Sequence, residues 1–269
     1  MIFKKTAETS IVFFQILRYN ISNEILSQNI INDEALMKKA LSILVSRRFL
    51  LVLTAIGITT TYCIFPSPFY LVLPLYISLF VGMLTSKANR YSFLIGGLNS
   101  ILYTITYLSL GIYMQAVQAF FFSCLLQLAT FFTWSKRAYK DSTVFRRMNK
   151  WHYVSFGGGF VAVFFGSITV LTILGSNFVI LDTFTALLGM LVTILHLCSF
   201  REAPFVHAFS STFGLSLSLA MVLDDPARWP FLISSFYGSI CVWRSIFAIW
   251  KLYKEQQAAK AKEAQVATA

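Results

Sequence analysis

The chain has 269 residues, 57% of them hydrophobic and 12% charged, with a formal net charge of +11. A soluble domain is about half apolar and about a quarter charged, so this chain has too little polar surface to cover a core in water. Mean hydropathy is +0.69. Lipid must surround much of it, which excludes an ordinary soluble domain. The excess of basic residues could signal nucleic-acid binding, but its placement along the chain reads differently.

Residues 1–48 are mixed. The apolar run Ile11 to Leu17 is too short to cross a membrane, is interrupted by Gln15, and is not followed by the small residues of a signal-peptide cleavage site. Residues 33–48 alternate Leu36, Met37, Leu41 and Leu44 with Lys38, Lys39, Arg47 and Arg48. That pattern predicts an amphipathic helix lying on a membrane surface, so residues 1–48 are expected to form a cytoplasmic amphipathic segment.

A helix needs about 20 apolar residues to cross the hydrocarbon layer. Eight segments of about that length follow in close order. They run 49–65, 69–86, 92–113, 116–134, 152–175, 178–200, 203–223 and 230–250, and together with short flanks they form a transmembrane domain over 49–255. Pro66 and Pro68 mark a turn after the first, because Pro cannot continue a helical ladder. Trp134, Trp151, Trp229 and Trp250 fall at span ends, where indole favours the interface. Residues 256–269 are expected to be a flexible cytoplasmic tail. The fold class is an all-α membrane protein.

Basic residues alternate with this count. Arg47 and Arg48, then Lys87 and Arg90, then Lys136 to Lys150, then Arg201, then Lys251 to Lys262 fall on one side. The intervening loops carry Arg228 beside Asp224 and Asp225 and are otherwise without Lys or Arg. Cytoplasmic loops are rich in Lys and Arg, so both termini of this multi-pass plasma-membrane protein are expected in the cytoplasm. The charge is therefore a topology signal and an attraction to anionic lipid, not a nucleic-acid site. Cys63, Cys124, Cys198 and Cys241 sit in apolar runs without C-x-x-C spacing and read as buried small side chains.

An internal repeat is visible. Setting Arg90 against Arg201 aligns two short loops, and setting Phe120 against Phe236 pairs Ser123 with Ser239, Gln127 with Trp243 and Trp134 with Trp250. Two three-helix repeats, about 68–134 and 178–251, would be joined by a linker helix over 152–175, whose single crossing makes the repeats parallel.

The sequence shows no nucleophile elbow, phosphate loop, H-E-x-x-H or aspartate-rich cluster. It reads as a non-enzyme with no cofactor or metal, and its three histidines are far apart in sequence. What remains is a sparse set of polar and aromatic residues inside spans, where such groups face a neighbouring helix or a water-filled path. Asn99 and Tyr103 lie one turn apart in the third span, and Gln118 and Gln127 in the fourth. His207, Ser210 and Ser211 lie in the seventh, and Tyr237 and Trp243 in the eighth. From these, Asn99, Tyr103, Gln127, His207, Ser211, Tyr237 and Trp243 form a candidate substrate site, suited to a flat polar ligand that stacks on rings and bonds to amides. The competing reading is hydrogen bonding between helices. Asp182 is the only acidic residue in a span interior, which argues against proton coupling.

The stretches FLIGGLNSILYTITYLSLGIY, FFSCLLQLATFFTW with a basic loop after it, and LDTFTALLGMLVTIL before FRE resemble the PnuC family of vitamin transporters, over about residues 68–255. Matching positions are Asn99, Tyr103, Gln127, Trp134, Arg201, Glu202, Tyr237 and Gly238. The resemblance implies uptake of nicotinamide riboside, or of thiamine, riboflavin or a nucleoside as in relatives, by facilitated diffusion with trapping by intracellular phosphorylation. The family pattern has Trp residues and an Asn where this chain has Pro204, His207 and Ser211, and Gly-Trp where it has Thr130 and Phe131. The implied partners are a small vitamin or nucleoside and membrane lipid, with a homo-oligomer left open. A membrane scaffold or an intramembrane enzyme is the alternative from another class, and a polar central cavity separates a carrier from a scaffold.

Overall fold

A computed structural model describes residues 46–268. The expected surface helix over residues 33–48 falls largely outside the described residues. The chain divides into two units, Met1–Leu50 and Leu51–Ala269, and the second holds every helix from Phe69 onward.

Among the described residues, eight helices occupy the eight expected spans. They are α1 (Arg47–Ile64), α2 (Phe69–Thr85), α3 (Tyr91–Ser109), α4 (Tyr113–Lys136), α5 (Lys150–Ile173), α6 (Val179–Leu197), α7 (Ala203–Asp224) and α8 (Trp229–Thr268). Six of them are long and apolar enough to cross a membrane by length and composition; α2, at 17 residues, is shorter. α3 buries Ser92, Asn99, Ser100 and Thr106, so its polar groups face protein.

Two elements differ from the sequence reading. The basic loop after α4 contains a hairpin, β1 (Ala138–Tyr139) paired antiparallel with β2 (Ser142–Thr143). α8 runs on as a helix well past residue 250, where the eighth span was expected to end, and Gln256 within it is buried.

The packing closes a ring. α2 packs on α3, α3 on α4, α4 on α6, α6 on α7, α7 on α8, and α8 returns to α2. α6 is the most enclosed member, with eleven buried residues from Asp182 to His196. α5 buries only Leu171 and packs chiefly against α6; α1 buries only Ile58. A helix with its circumference exposed is stable only where lipid covers it, so α1 and α5 stand outside the ring.

The turns after α2 and α6 are built alike. Asn89 N–H bonds to Leu84 O and Ala88 N–H to Thr85 O, with Ala88 at φ 53°. Phe200 N–H bonds to Leu195 O and Ser199 N–H to His196 O, with Ser199 at φ 57°. Both are Schellman caps closed by a non-glycine residue in the left-handed region, and they are separated by the spacing that relates Arg90 to Arg201.

Candidate substrate cavity

Pro74 shapes the first wall. It lies inside α2 and has no N–H to give Tyr70 O. Thr106 of α3 donates to that carbonyl at 3.4 Å, and Asn99 Nδ2 donates to Pro74 O at 2.9 Å and to Ser78 Oγ at 3.1 Å. Backbone groups freed inside a membrane must be satisfied by neighbours, so Thr106 answers the carbonyl that the proline leaves free, and Asn99 adds a second tie from α3 to α2. Tyr103 completes the cluster: its hydroxyl lies 2.8 Å from that of Ser78, and its ring stacks on Tyr107 at 5.4 Å.

α4 shapes the second wall. Its middle, Gln118–Leu126, is wound as a π-helix between α-helical Tyr113–Val117 and Gln127–Lys136. Such wide turns recur at functional sites. Here the wide stretch begins at Gln118 and ends just before Gln127, and both side chains point inward. Glycine makes room for each. A Cβ on Gly96 of α3 would come within 2.6 Å of Gln127 Oε1, and a Cβ on Gly189 of α6 within 3.1 Å of Gln118 Nε2. Gln118 Nε2 donates to Ser123 Oγ at 2.6 Å.

Between these walls lie three adjoining lobes that share Val81. The first, about 220 Å³, is lined by Trp134, His196, His207, Gln118, Gln127 and Ser245 among others. The second, also about 220 Å³, is lined by Asn99, Tyr103, Tyr107, Gln118, Ser123 and Gln127. The third, about 270 Å³, is lined by Ser78, His207, Ser211 and Ser239 with Gly214 and Gly238. The cavity therefore takes residues from α2, α3, α4, α6, α7 and α8, and its polar groups are amides, hydroxyls and imidazoles.

Five of the seven candidate residues line it: Asn99, Tyr103, Gln127, His207 and Ser211. Two do not. Trp243 is 54% exposed on the outside of the ring. Its pairing with Gln127 assumed the same helical phase in α4 and α8, but α4 is π-wound just before Gln127 and α8 is α-helical. The neighbouring Val242 faces the cavity instead. Tyr237 is buried, donates its hydroxyl to Leu79 O at 3.1 Å and packs over Gly82. It holds α8 to α2.

Other residues join the site unannounced. Trp134, read as an interface residue, is 1% exposed; its Nε1 donates to His196 O at 2.8 Å, and Phe93 packs on its ring at 4.7 Å. His196 and His207, distant in sequence, lie with ring centroids 5.8 Å apart. Residues 196 and 207 sit on either side of one tight turn, and that turn was the signal available. Nδ1 of both histidines and Oδ1 of Asn99 are buried without a hydrogen-bond partner. Asp182 proves to be a helix cap: it accepts the N–H groups of Met114 and Gln115, at 3.0 and 2.9 Å, and the Ser176 hydroxyl at 3.0 Å. A carboxylate at a helix N-terminus satisfies orphan donors and the dipole together.

A family model described as nicotinamide mononucleotide transporter matches residues 71–219, from α2 into α7. The protein belongs to that family. The match spans most of the cavity walls, and it agrees with the PnuC resemblance read from the sequence. The family assignment leaves α8 outside the matched interval. A solved structure described as "Crystal structure of the Vitamin B3 transporter PnuC" has the same fold, with a TM-score of 0.65 at 15% identity, covering 78% of this chain and 91% of that one. No curated protein matches the chain.

Proposed function

We propose that this member of the nicotinamide mononucleotide transporter family carries a vitamin- or nucleoside-like molecule into the cell by facilitated diffusion. Nicotinamide riboside is the foremost substrate, trapped inside by phosphorylation. The observation that carries the reading is the polar cavity at the centre of the six-helix ring. A scaffold needs no such space, and polar lining costs free energy in a membrane unless it serves a path. The ligand lies among Asn99, Tyr103, Gln127, His207 and Ser211, with Trp134 and His196 added from the geometry. The unpartnered Asn99 Oδ1 and histidine Nδ1 atoms beside the cavity support a ligand rich in hydrogen-bonding groups.

The two repeats are α2–α4 and α6–α8, parallel and linked by α5; the matching turns at Ala88 and Ser199 support this. The basic loops lie in the cytoplasm, with both termini. Calorimetry of the purified protein with nicotinamide riboside, thiamine, riboflavin and uridine tests the substrate. Binding of nicotinamide riboside that weakens in Gln127→Ala is the expected result, and no affinity for any of the four sinks the reading. His207 and Ser211, standing where the PnuC pattern has aromatic and amide groups, favour a second reading in which a nucleoside binds more tightly than nicotinamide riboside.

A further inference from the structure

The cavity ends, on the side of the basic loops, at Ala88, Trp134 and Ile249. Phe145, 4% exposed, packs against those three residues from below, with its ring 5.6 Å from that of Trp134, edge to face. Phe145 belongs to the segment 138–148, which holds the β1–β2 hairpin and crosses under the ring. The segment is tied to both matching turns. Arg90 N–H donates to Asp141 O, Arg201 N–H to Arg146 O, and Arg146 N–H to Ser199 O, each at 2.9 Å. It is tied also to the extension of α8. Gln256 Oε1 accepts the Phe145 N–H at 3.0 Å, and Gln256 Nε2 donates to Thr143 O at 2.8 Å. Lys140 and Glu255 add an exposed ion pair at 2.6 Å.

We propose that segment 138–148 is the gate at this end of the cavity, and that Gln256 is the positioning residue that latches it shut. This rests on the reading of the cavity as the transport path. A ligand leaving on this side must displace Phe145, and Phe145 cannot move while its own backbone N–H and the carbonyl of Thr143 are held by one side chain. A primary amide suits the task because it offers an acceptor and a donor together. Both bonds are neutral and buried, so they are strong enough to keep the gate closed and weak enough to break in each cycle. The α8 extension is thus the post to which the gate is fastened.

The test uses the full chain with its four native cysteines changed to serine, carrying Ser245→Cys on the cavity wall, in sealed vesicles. A membrane-impermeant maleimide is applied from the face on which a parallel Asp141→Cys variant labels. Gln256→Ala should raise the labelling rate at position 245 at least tenfold. Gln256→Glu keeps the acceptor for Phe145 but turns a carboxylate oxygen toward Thr143 O, which repels it, and should raise the rate as well; it also serves if the alanine variant does not fold. Rates within twofold of the parent in both variants overturn the latch, and so does a lowered melting temperature with unchanged labelling. The labelling needs no ligand, so its failure is separate from a failure of the proposed binding site, which the Gln127→Ala calorimetry reads.

Discussion

Gln127 touches α3 where Gly96 leaves space, while Trp243, its partner in the sequence alignment of the repeats, points away from the ring. The two substitutions should therefore differ. Gln127→Ala removes a hydrogen bond to a neutral group, about 0.5–1.5 kcal/mol, so calorimetry should show a several-fold loss of affinity. Trp243→Ala should leave affinity within about twofold, since the indole meets lipid rather than ligand. Equal losses from both would mean that the ligand lies elsewhere. Gly96→Ala would set a methyl within 2.6 Å of the amide oxygen, the far end of a flexible side chain, so it should displace the Gln127 amide and weaken binding no more than Gln127→Ala does. Residue identity was legible for Asn99, Tyr103, Gln127, His207 and Ser211, since polar side chains in apolar runs stand out. Side-chain direction was not, because it depends on helical phase, and the π-winding of 118–126 leaves no mark in so apolar a stretch. The meeting of His196 with His207 also required a turn whose left-handed residue, Ser199, carries none of glycine's warning.

At the scale of elements, hydropathy and charge located all eight helices to within a few residues, the α8 extension aside. The reason is physical: hydrocarbon thickness fixes length, and basic residues stop at its edge. What joins the elements was harder to read. Asp182 stood out in the sequence only as the one acidic residue in a span interior, and the structure shows its carboxylate capping α4 across a helix boundary. Asp182→Ala leaves the backbone N–H groups of Met114 and Gln115 without their acceptor; a buried unpaired group costs about 1–3 kcal/mol. Thermal unfolding in detergent should show a clearly lowered Tm for Asp182→Ala and a smaller drop for Asp182→Asn. A variant as stable as the parent would remove Asp182 from the list of structural caps. Outside the membrane, the hydrogen bond to Glu255 holds Lys140 above the ordinary lysine range, so this tie stays charged throughout neutral pH.

For the whole molecule, the alternation of basic loops predicts a topology. A cysteine at position 141 should label only from the cytoplasmic side and one at position 225 only from outside intact cells; the reverse would invert the protein. A neutral cavity also predicts passive transport. Uptake into proteoliposomes should stop at equal concentrations and ignore imposed proton or sodium gradients, and accumulation against a gradient would refute it.

Because α5 lies outside the ring and grips chiefly α6, this linker helix does no work in enclosing the cavity. The seams that matter are noncovalent: the Asp182 cap and Gly189 contact between α6 and α4, and the Tyr237 bond between α8 and α2. Cut between Met148 and Asn149, just past the gate segment, and expressed as two polypeptides in one cell, the protein should reassemble and transport, each part orienting by its own basic residues.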